Sequence, residues 1–400
     1  MKFFKILNGS FLVAGTCIGG GMLALPVLSA KVGFLPALLV MGGVWAFMTI
    51  AALFYLECTL WMEKDAHLIS IASFLLGRWG KFLCWTVFVF ICYSSLAAYL
   101  SSGGRMIESF LRSTISFSSG EVGGHALFLL LFGSILLLGT NTVSLINSLF
   151  FFVMVALFLV MIGGGWQIDG ELLFRQEWDV SGMLSLVPVM LTSFSFPGIV
   201  PVLVSYHGQN ASDVKKSIFG GTIITAATYM IWLVIVMGNV PLHGPHGLLE
   251  SLSNDQHASE SLMHFVSSPW IGTMAQGFAF FALATSFLGL AVALSFFLSE
   301  AFKISKTSLS GKGMLALLIL IPATLVVYKF ERVFFSAMEI SGSIGDGFLS
   351  GLIPAAMLWQ GRYRKQMKGT YHFLGGKSTL AAMAILAVFM IGYEAIRILY

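Results

Sequence analysis

Residues 14–26 read AGTCIGGGMLALP, placing Gly15, Gly19, Gly20, Gly21 and Pro26 inside an apolar run long enough to cross a membrane. Glycine costs about 1 kcal/mol and proline about 3 kcal/mol in a helix interior relative to alanine, so the helix breaks near its middle. A broken backbone frees amide and carbonyl groups, which at membrane depth are tolerated only inside protein or against a watery cavity. Freed N–H groups and the adjoining helix N-terminus suit an anion such as an amino acid carboxylate, and freed carbonyls suit an ammonium or a small cation. A second apolar run, LSLVPVMLTSFSFPGIVPVLVSY at 184–206, carries Pro188, Pro197, Gly198 and Pro201 and breaks in the same way. The bland alternative is close helix packing on small residues, as in Gly15-x-x-x-Gly19. The recurrence of the break in two runs favours a binding site.

Acidic residues at membrane depth are the other candidates for chemistry, because an ionisable group there is by default functional. Asp346 lies in SGSIGDGFLSG near the centre of an apolar run, Glu339 nearer one end, and Glu57 beside the polar joint ECTLWMEK. Small neighbours give water or another helix access to Asp346. It is the first candidate for proton coupling or gating and Glu339 the second, the alternative being a structural acid bonded to nearby hydroxyls. Glu57 is expected at the interface, its charge reaching headgroups or the Lys64 region.

The elements that must position these residues follow from composition. The 400 residues are 57% hydrophobic and only 10% charged, with mean hydropathy +0.90; a soluble domain carries roughly 25% charge. Apolar blocks near 7–29, 33–61, 79–103, 123–140, 142–166, 183–205, 217–240, 269–299, 313–328, 333–359 and 378–399 give eleven expected spans, about 20 residues being enough for a hydrocarbon core. The fold class is an all-α polytopic membrane protein in one domain, 1–400. With the N-terminus inside, the inner loops, Lys64 among them, hold 15 of the 22 Lys and Arg, and the outer joints, Arg332 and Arg397 among them, hold 7. Basic residues favour the cytoplasmic side, so the N-terminus is cytoplasmic and, after eleven spans, the C-terminus is outside. The net charge of +4 reports topology, not a nucleic-acid partner.

Breaks in spans one and six divide the chain into 5–166 and 183–360, with an extra helix at 377–400. Five spans is odd, so the second group crosses in the opposite sense. A pair of interrupted segments in corresponding positions of two inverted halves points to a midplane site in a secondary transporter. Other classes fare worse. SIGD at 343–346 lacks the second membrane aspartate an aspartyl protease needs, and neither His-Glu-x-x-His nor Gly-x-Ser-Gly occurs. LGGKST at 374–379 has Tyr371 where a phosphate loop needs glycine. Cys17, Cys58, Cys84 and Cys92 lie in apolar spans without metal-ligand spacing, as packing residues do. A receptor or sensor on a transporter-like scaffold is the rival class; the longest joint, 241–268, is short for an output domain.

GSFLVAGTCIGGGMLALP at 9–26 and TSFSFPGIVPVLVSY at 192–206 resemble the corresponding helices of the bacterial hydroxy/aromatic amino acid permeases, which include tyrosine- and tryptophan-specific members. FFALATSFLGLAVALSFFLSE at 280–300 resembles that family's eighth helix, and LIPAAMLWQGRYR at 352–364 the end of its tenth. One position departs: Pro197 stands where a polar residue, often histidine, is expected before the glycine. The resemblance implies a five-plus-five inverted repeat (LeuT-like) in the bacterial cytoplasmic (inner) membrane, importing an aromatic amino acid, tyrosine first and tryptophan second. Coupling would be by proton symport with alternating access. The alternatives are a broader neutral amino acid importer and a sodium-coupled symporter. Gly15, Thr16, Gly19 and Gly20 would hold the substrate's carboxylate and amine, and Phe194, Ser195 and Phe196 would line its side-chain pocket. Tyr93, Ser94 and Ser95 are secondary pocket candidates or helix-packing hydroxyls. Thr285 and Ser286 match by position hydroxyls that bind sodium in some transporters of the wider fold, the alternative being hydroxyls bonded back to their own helix. No cofactor or resident metal is expected. The partners are a small-molecule substrate and the bilayer, and the oligomeric state stays open.

Overall fold

In hydrocarbon every backbone N–H and C=O must be paired within the protein, which is why apolar runs of this length become helices. The computed structural model describes residues 2–63, 66–115, 120–164, 166–175, 178–266, 269–330 and 333–399. Lys64 and Arg332, two of the charges that orient the chain, lie outside them. The chain begins with α1 (Lys2–Cys17), a 3-10 turn (Gly20–Ala24) and α2 (Leu25–Ser29), then α3 (Phe34–Leu60), α4 (Leu68–Ile115), α5 (Gly120–Leu137) and α6 (Thr140–Ile162). After the one-turn α7 (Gly170–Leu173) come α8 (Val180–Ser193), a 3-10 turn (Pro197–Ile199), α9 (Val200–Tyr206) and α10 (Ala211–Met237). Two short helices, α11 (Leu248–Ser253) and α12 (Ala258–Phe265), precede α13 (Pro269–Phe302) and α14 (Leu309–Lys329). Then follow α15 (Val333–Ile340), a wide π-helical stretch (Ser341–Leu352), α16 (Ile353–Trp359), a second π turn (Gln360–Arg364) and α17 (Lys377–Leu399).

Among the described residues nine helical stretches are long and apolar enough to cross a membrane, and α1 with Gly20–Ser29, bent by 50°, makes a tenth if taken as one span. This is a multi-pass membrane protein. The expected span over 333–359 is assembled from short α and π pieces, with right-handed helical angles at each joint. The expected span at 79–103 is longer in both directions and bends at Gly77, which sits at φ 72° and ψ −158°, so Leu68 to Leu76 forms a separate stretch at its start. Gly77 supplies the left-handed angle that other residues rarely adopt. The start of α8 is set by Asp179, whose carboxylate accepts from Ser181 N–H at 3.1 Å and Gly182 N–H at 2.7 Å; such a cap contributes about 1 kcal/mol.

The first interruption is enclosed, residues 19–30 being buried, and so is the second broken stretch. In Val180–Tyr206, 67% of the most apolar window is buried, whereas α6 buries 17% and turns Leu145, Leu149, Phe152 and Leu159 outward as a lipid-facing helix would. All four cysteines are buried and free.

Glu57 finds its counter-charge inside the protein. It is fully buried on α3 and bound in two-pronged fashion by Arg362 from the second π turn, Nε to Oε1 at 2.8 Å and Nη2 to Oε2 at 2.5 Å. The N–H of Phe373 adds a bond of 2.6 Å to Oε2. The guanidinium also donates to Phe373 O at 2.7 Å and Gly375 O at 2.6 Å, pinning the segment before α17 under the end of α3. The sequence did not announce this partner, because it lies 305 residues away; nearest-neighbour charge could not find it.

Candidate functional site

Both interruptions fall where the glycines and prolines put them. After Cys17 the backbone extends through Gly19 and re-forms as a 3-10 turn. The Gly20 N–H donates to the Ser286 hydroxyl on α13 at 3.0 Å. A Cβ on Gly19 would lie 2.1 Å from that same oxygen, so a side chain there would push the Ser286 hydroxyl out of this position. Thr285 instead turns its hydroxyl back into its own helix, 2.8 Å from Phe281 O and 3.1 Å from Ala282 O.

In the second interruption α8 stops at Ser193, and Phe194 and Phe196 are fully buried on either side of half-buried Ser195. The Ser195 hydroxyl donates to Asp346 Oδ1 at 2.7 Å, and Ser350 donates to the same oxygen at 3.0 Å. Asp346 itself is fully buried within the π-helical stretch, and among the described residues Oδ2 has no hydrogen-bond partner. Wide π turns displace the backbone bonding by one residue and are frequent at functional sites. Ser195 and Asp346, 151 residues apart, are thus one constellation.

The two interruptions are also joined to each other. Tyr229 on α10 places its hydroxyl 2.7 Å from Cys17 O and 2.6 Å from Ser193 O, the carbonyls that end α1 and α8.

Other expected residues are placed differently. Gly15 is half-buried against the Phe151 ring of α6. Thr16 is exposed and its hydroxyl donates to Leu12 O at 2.8 Å, so it is not brought to the Gly20 amide. Tyr93 donates to Leu318 O on α14 at 2.8 Å, Ser94 is half-buried, and Ser95 meets the Ser341 hydroxyl at 3.3 Å at the start of the π stretch. Glu339 is held by Arg397 of α17, which also bonds the buried Glu394 at 2.8 Å; it is not brought to Ser195. Among the described residues no group of three or more His, Cys, Asp or Glu side chains converges as metal ligands do.

The expected outer joint at 241–268 holds a cluster that its sequence did not announce. Asp255 is buried and accepts from Arg105 of α4 at 3.2 Å and from the N–H groups of Phe334 at 3.0 Å and Phe335 at 3.1 Å, so it caps α15 while gripping α4. Beside it His257 Nε2 lies 3.2 Å from Glu260 Oε1, and Ser259 bonds His257 Nδ1 at 2.9 Å. Burial, then the Arg105 charge, pushes the His257 imidazole down to about 3; burial pushes the Glu260 carboxyl up to about 7. Tyr229 and Ser350 were also missed. The only signals are that a tyrosine in an apolar span needs a partner for its hydroxyl, and that Ser350 follows Asp346 by one helical repeat.

Comparison with known proteins addresses the family and the fold. The tryptophan/tyrosine permease family model matches residues 2–394. The tyrosine-specific transport system 1 of Haemophilus influenzae is 31% identical over 388 residues, covering 96% of this chain and 95% of that protein. A tryptophan-specific transport protein of the same organism is 28% identical, covering 96% and 94%. The low affinity tryptophan permease of Escherichia coli is 26% identical, covering 94% and 92%. Among solved structures, Mhp1, a nucleobase-cation-symport-1 family transporter in a closed conformation with bromovinylhydantoin bound, superposes with a TM-score of 0.62 over 96% of this chain and 90% of that one. At 11% identity that likeness concerns the fold alone. With the family model spanning nearly every residue, this chain belongs to the tryptophan/tyrosine permease family.

Proposed function

We propose that the protein is a secondary active transporter that imports an aromatic amino acid, tyrosine first and tryptophan second, by proton symport with alternating access. The observation that carries the reading is the bond from Ser195, in the middle of the α8–α9 interruption, to the buried carboxylate of Asp346. A ligand seated at that interruption would be one hydrogen bond from an ionisable group whose described partners at Oδ1 are hydroxyls only. An acid so placed suits a proton relay. Gly15, Thr16, Gly19 and Gly20 would receive the carboxylate and amine, and Phe194 and Phe196 with Ser195 the ring, for which edge and offset ring contacts are favourable. Tyr93, Ser94 and Ser95 would close the pocket, and Glu339 would act on gating through Arg397.

The reading includes eleven crossings, with the rod from α15 to the second π turn counted as one. It places 5–166 and 183–360 as inverted repeats, α17 as an added helix, the N-terminus in the cytoplasm and the C-terminus outside, in the bacterial inner membrane. The test is labelled tyrosine and tryptophan uptake into proteoliposomes under an imposed proton gradient and, separately, a sodium gradient. Accumulation driven by protons and competed by aromatic amino acids alone is expected. Sodium-driven accumulation would move coupling to Thr285 and Ser286, and equal competition by leucine or serine would make the substrate class neutral amino acids in general.

A further inference from the structure

Tyr229 stands on α10 in an apolar stretch, AATYMIWLV, with no other feature of a binding site. Its side chain is fully buried, and the edge-on ring of Phe194, centroid 5.0 Å away, holds the phenol in place. A phenol has one proton, so the bonds to Cys17 O and Ser193 O share it as a three-centre pair. These carbonyls belong to different thirds of the chain, yet both are the last of a half-helix, where the helix leaves them without intrahelical donors. One hydroxyl therefore bridges the end of α1 and the end of α8.

We propose that Tyr229 is a positioning residue for transport: it fixes the spacing between the two interruptions, and with it the length of amino acid that they read together. The inference rests on the reading above, in which the head group sits at the α1 interruption and the ring at the α8–α9 interruption. Without the hydroxyl the two carbonyls are buried unpaired, each finds a donor by local movement, and packing alone sets the gap. The selectivity for substrate length, rather than overall affinity, is what Tyr229 protects.

The experiment uses the full chain in proteoliposomes and the variant Tyr229→Phe, which keeps the ring against Phe194. Labelled tyrosine uptake is competed by 4-hydroxyphenylglycine, tyrosine and homotyrosine, which carry the same head and phenol separated by successive methylenes. One misplaced methylene is expected to cost the parent about tenfold or more in competition, and the variant about threefold or less. A variant that weakens all three competitors by one common factor overturns the proposal, because a merely structural tyrosine would do that. A second arm needs no substrate: spin labels at exposed Leu12 on α1 and exposed Val180 on α8, with the four buried cysteines replaced. The distance distribution is expected to broaden in Tyr229→Phe, and an unchanged distribution overturns the proposal. If none of the three compounds competes in the parent, the substrate reading fails, and the distance arm alone decides on Tyr229.

Discussion

At Asp346 two hydroxyls converge on one carboxylate oxygen while the other keeps none of the described partners, so the two oxygens are inequivalent and can be given different tasks. Asn at this position retains a carbonyl to accept from Ser195 and Ser350 but cannot exchange a proton. Asp346→Asn is therefore expected to abolish accumulation against a gradient, by tenfold or more, while exchange of labelled for unlabelled substrate at equal pH survives within a few-fold; parallel uptake and exchange assays on one preparation decide it. Full proton-driven accumulation by the variant would remove Asp346 from coupling. Ser195→Ala removes one donor at a net cost of about 1 kcal/mol, a milder change expected to shift the pH profile of uptake rather than abolish it. Asp346 could be read in the sequence because an acid among Gly and Ser in an apolar run is conspicuous. Tyr229 could not, because its two acceptors are backbone carbonyls 212 and 36 residues away, and no side-chain pattern encodes them.

Among the elements, the interruptions were legible because Gly and Pro act locally, whereas the π-helical stretch and the folded outer joint were not. The small residues of SGSIGDGFLSG signal close approach without saying that the turn widens; the approach itself is seen at Gly342, whose added Cβ would lie 1.8 Å from Pro188 O of α8. In the outer joint α11 and α12 are tied to α4 and α15 through Asp255, and the adjoining His257–Glu260 pair makes that attachment pH-dependent. His257 is pushed down from 6.5 to about 3, so its contribution to stability is complete above pH 6.5 and is lost as pH falls toward 3. Glu260 is pushed up from 4.5 to about 7, so its contribution is complete below pH 4.5 and is lost as pH rises through 7. The two slopes oppose each other between pH 4.5 and 6.5, and amide protection across residues 248–265 should change little there. Glu260→Gln removes the falling limb, and protection should then rise steadily with pH over that interval. Hydrogen exchange corrected for intrinsic rates measures this, and matching profiles in parent and variant would show that the pair does not govern the stability of this joint.

For the molecule as a whole, composition and block length already implied a many-helix membrane protein, because hydrocarbon leaves the backbone so few options. The polar ties between distant helices were illegible, since they are single long-range pairs; among the described residues the Glu57–Arg362 ion pair is the most enclosed, with side chains 0% and 5% exposed. This pair fastens α3, from the first half of the chain, to the end of the rod that contains Asp346, and through the Arg362 bonds to Phe373 O and Gly375 O it also fixes the approach to α17. A buried pair contributes little beyond an apolar replacement, but removing one member leaves an uncompensated charge at a cost of about 3–5 kcal/mol. Glu57→Gln and Arg362→Gln should each lower the thermal midpoint of the purified protein by a clear margin, and the double variant should be more stable than the sum of the two losses. Thermal unfolding of the three variants in one detergent gives the coupling directly. Additive losses would mean that Arg362 is held by the Phe373 and Gly375 carbonyls alone, and that α3 and the Asp346 rod are joined by packing instead of charge.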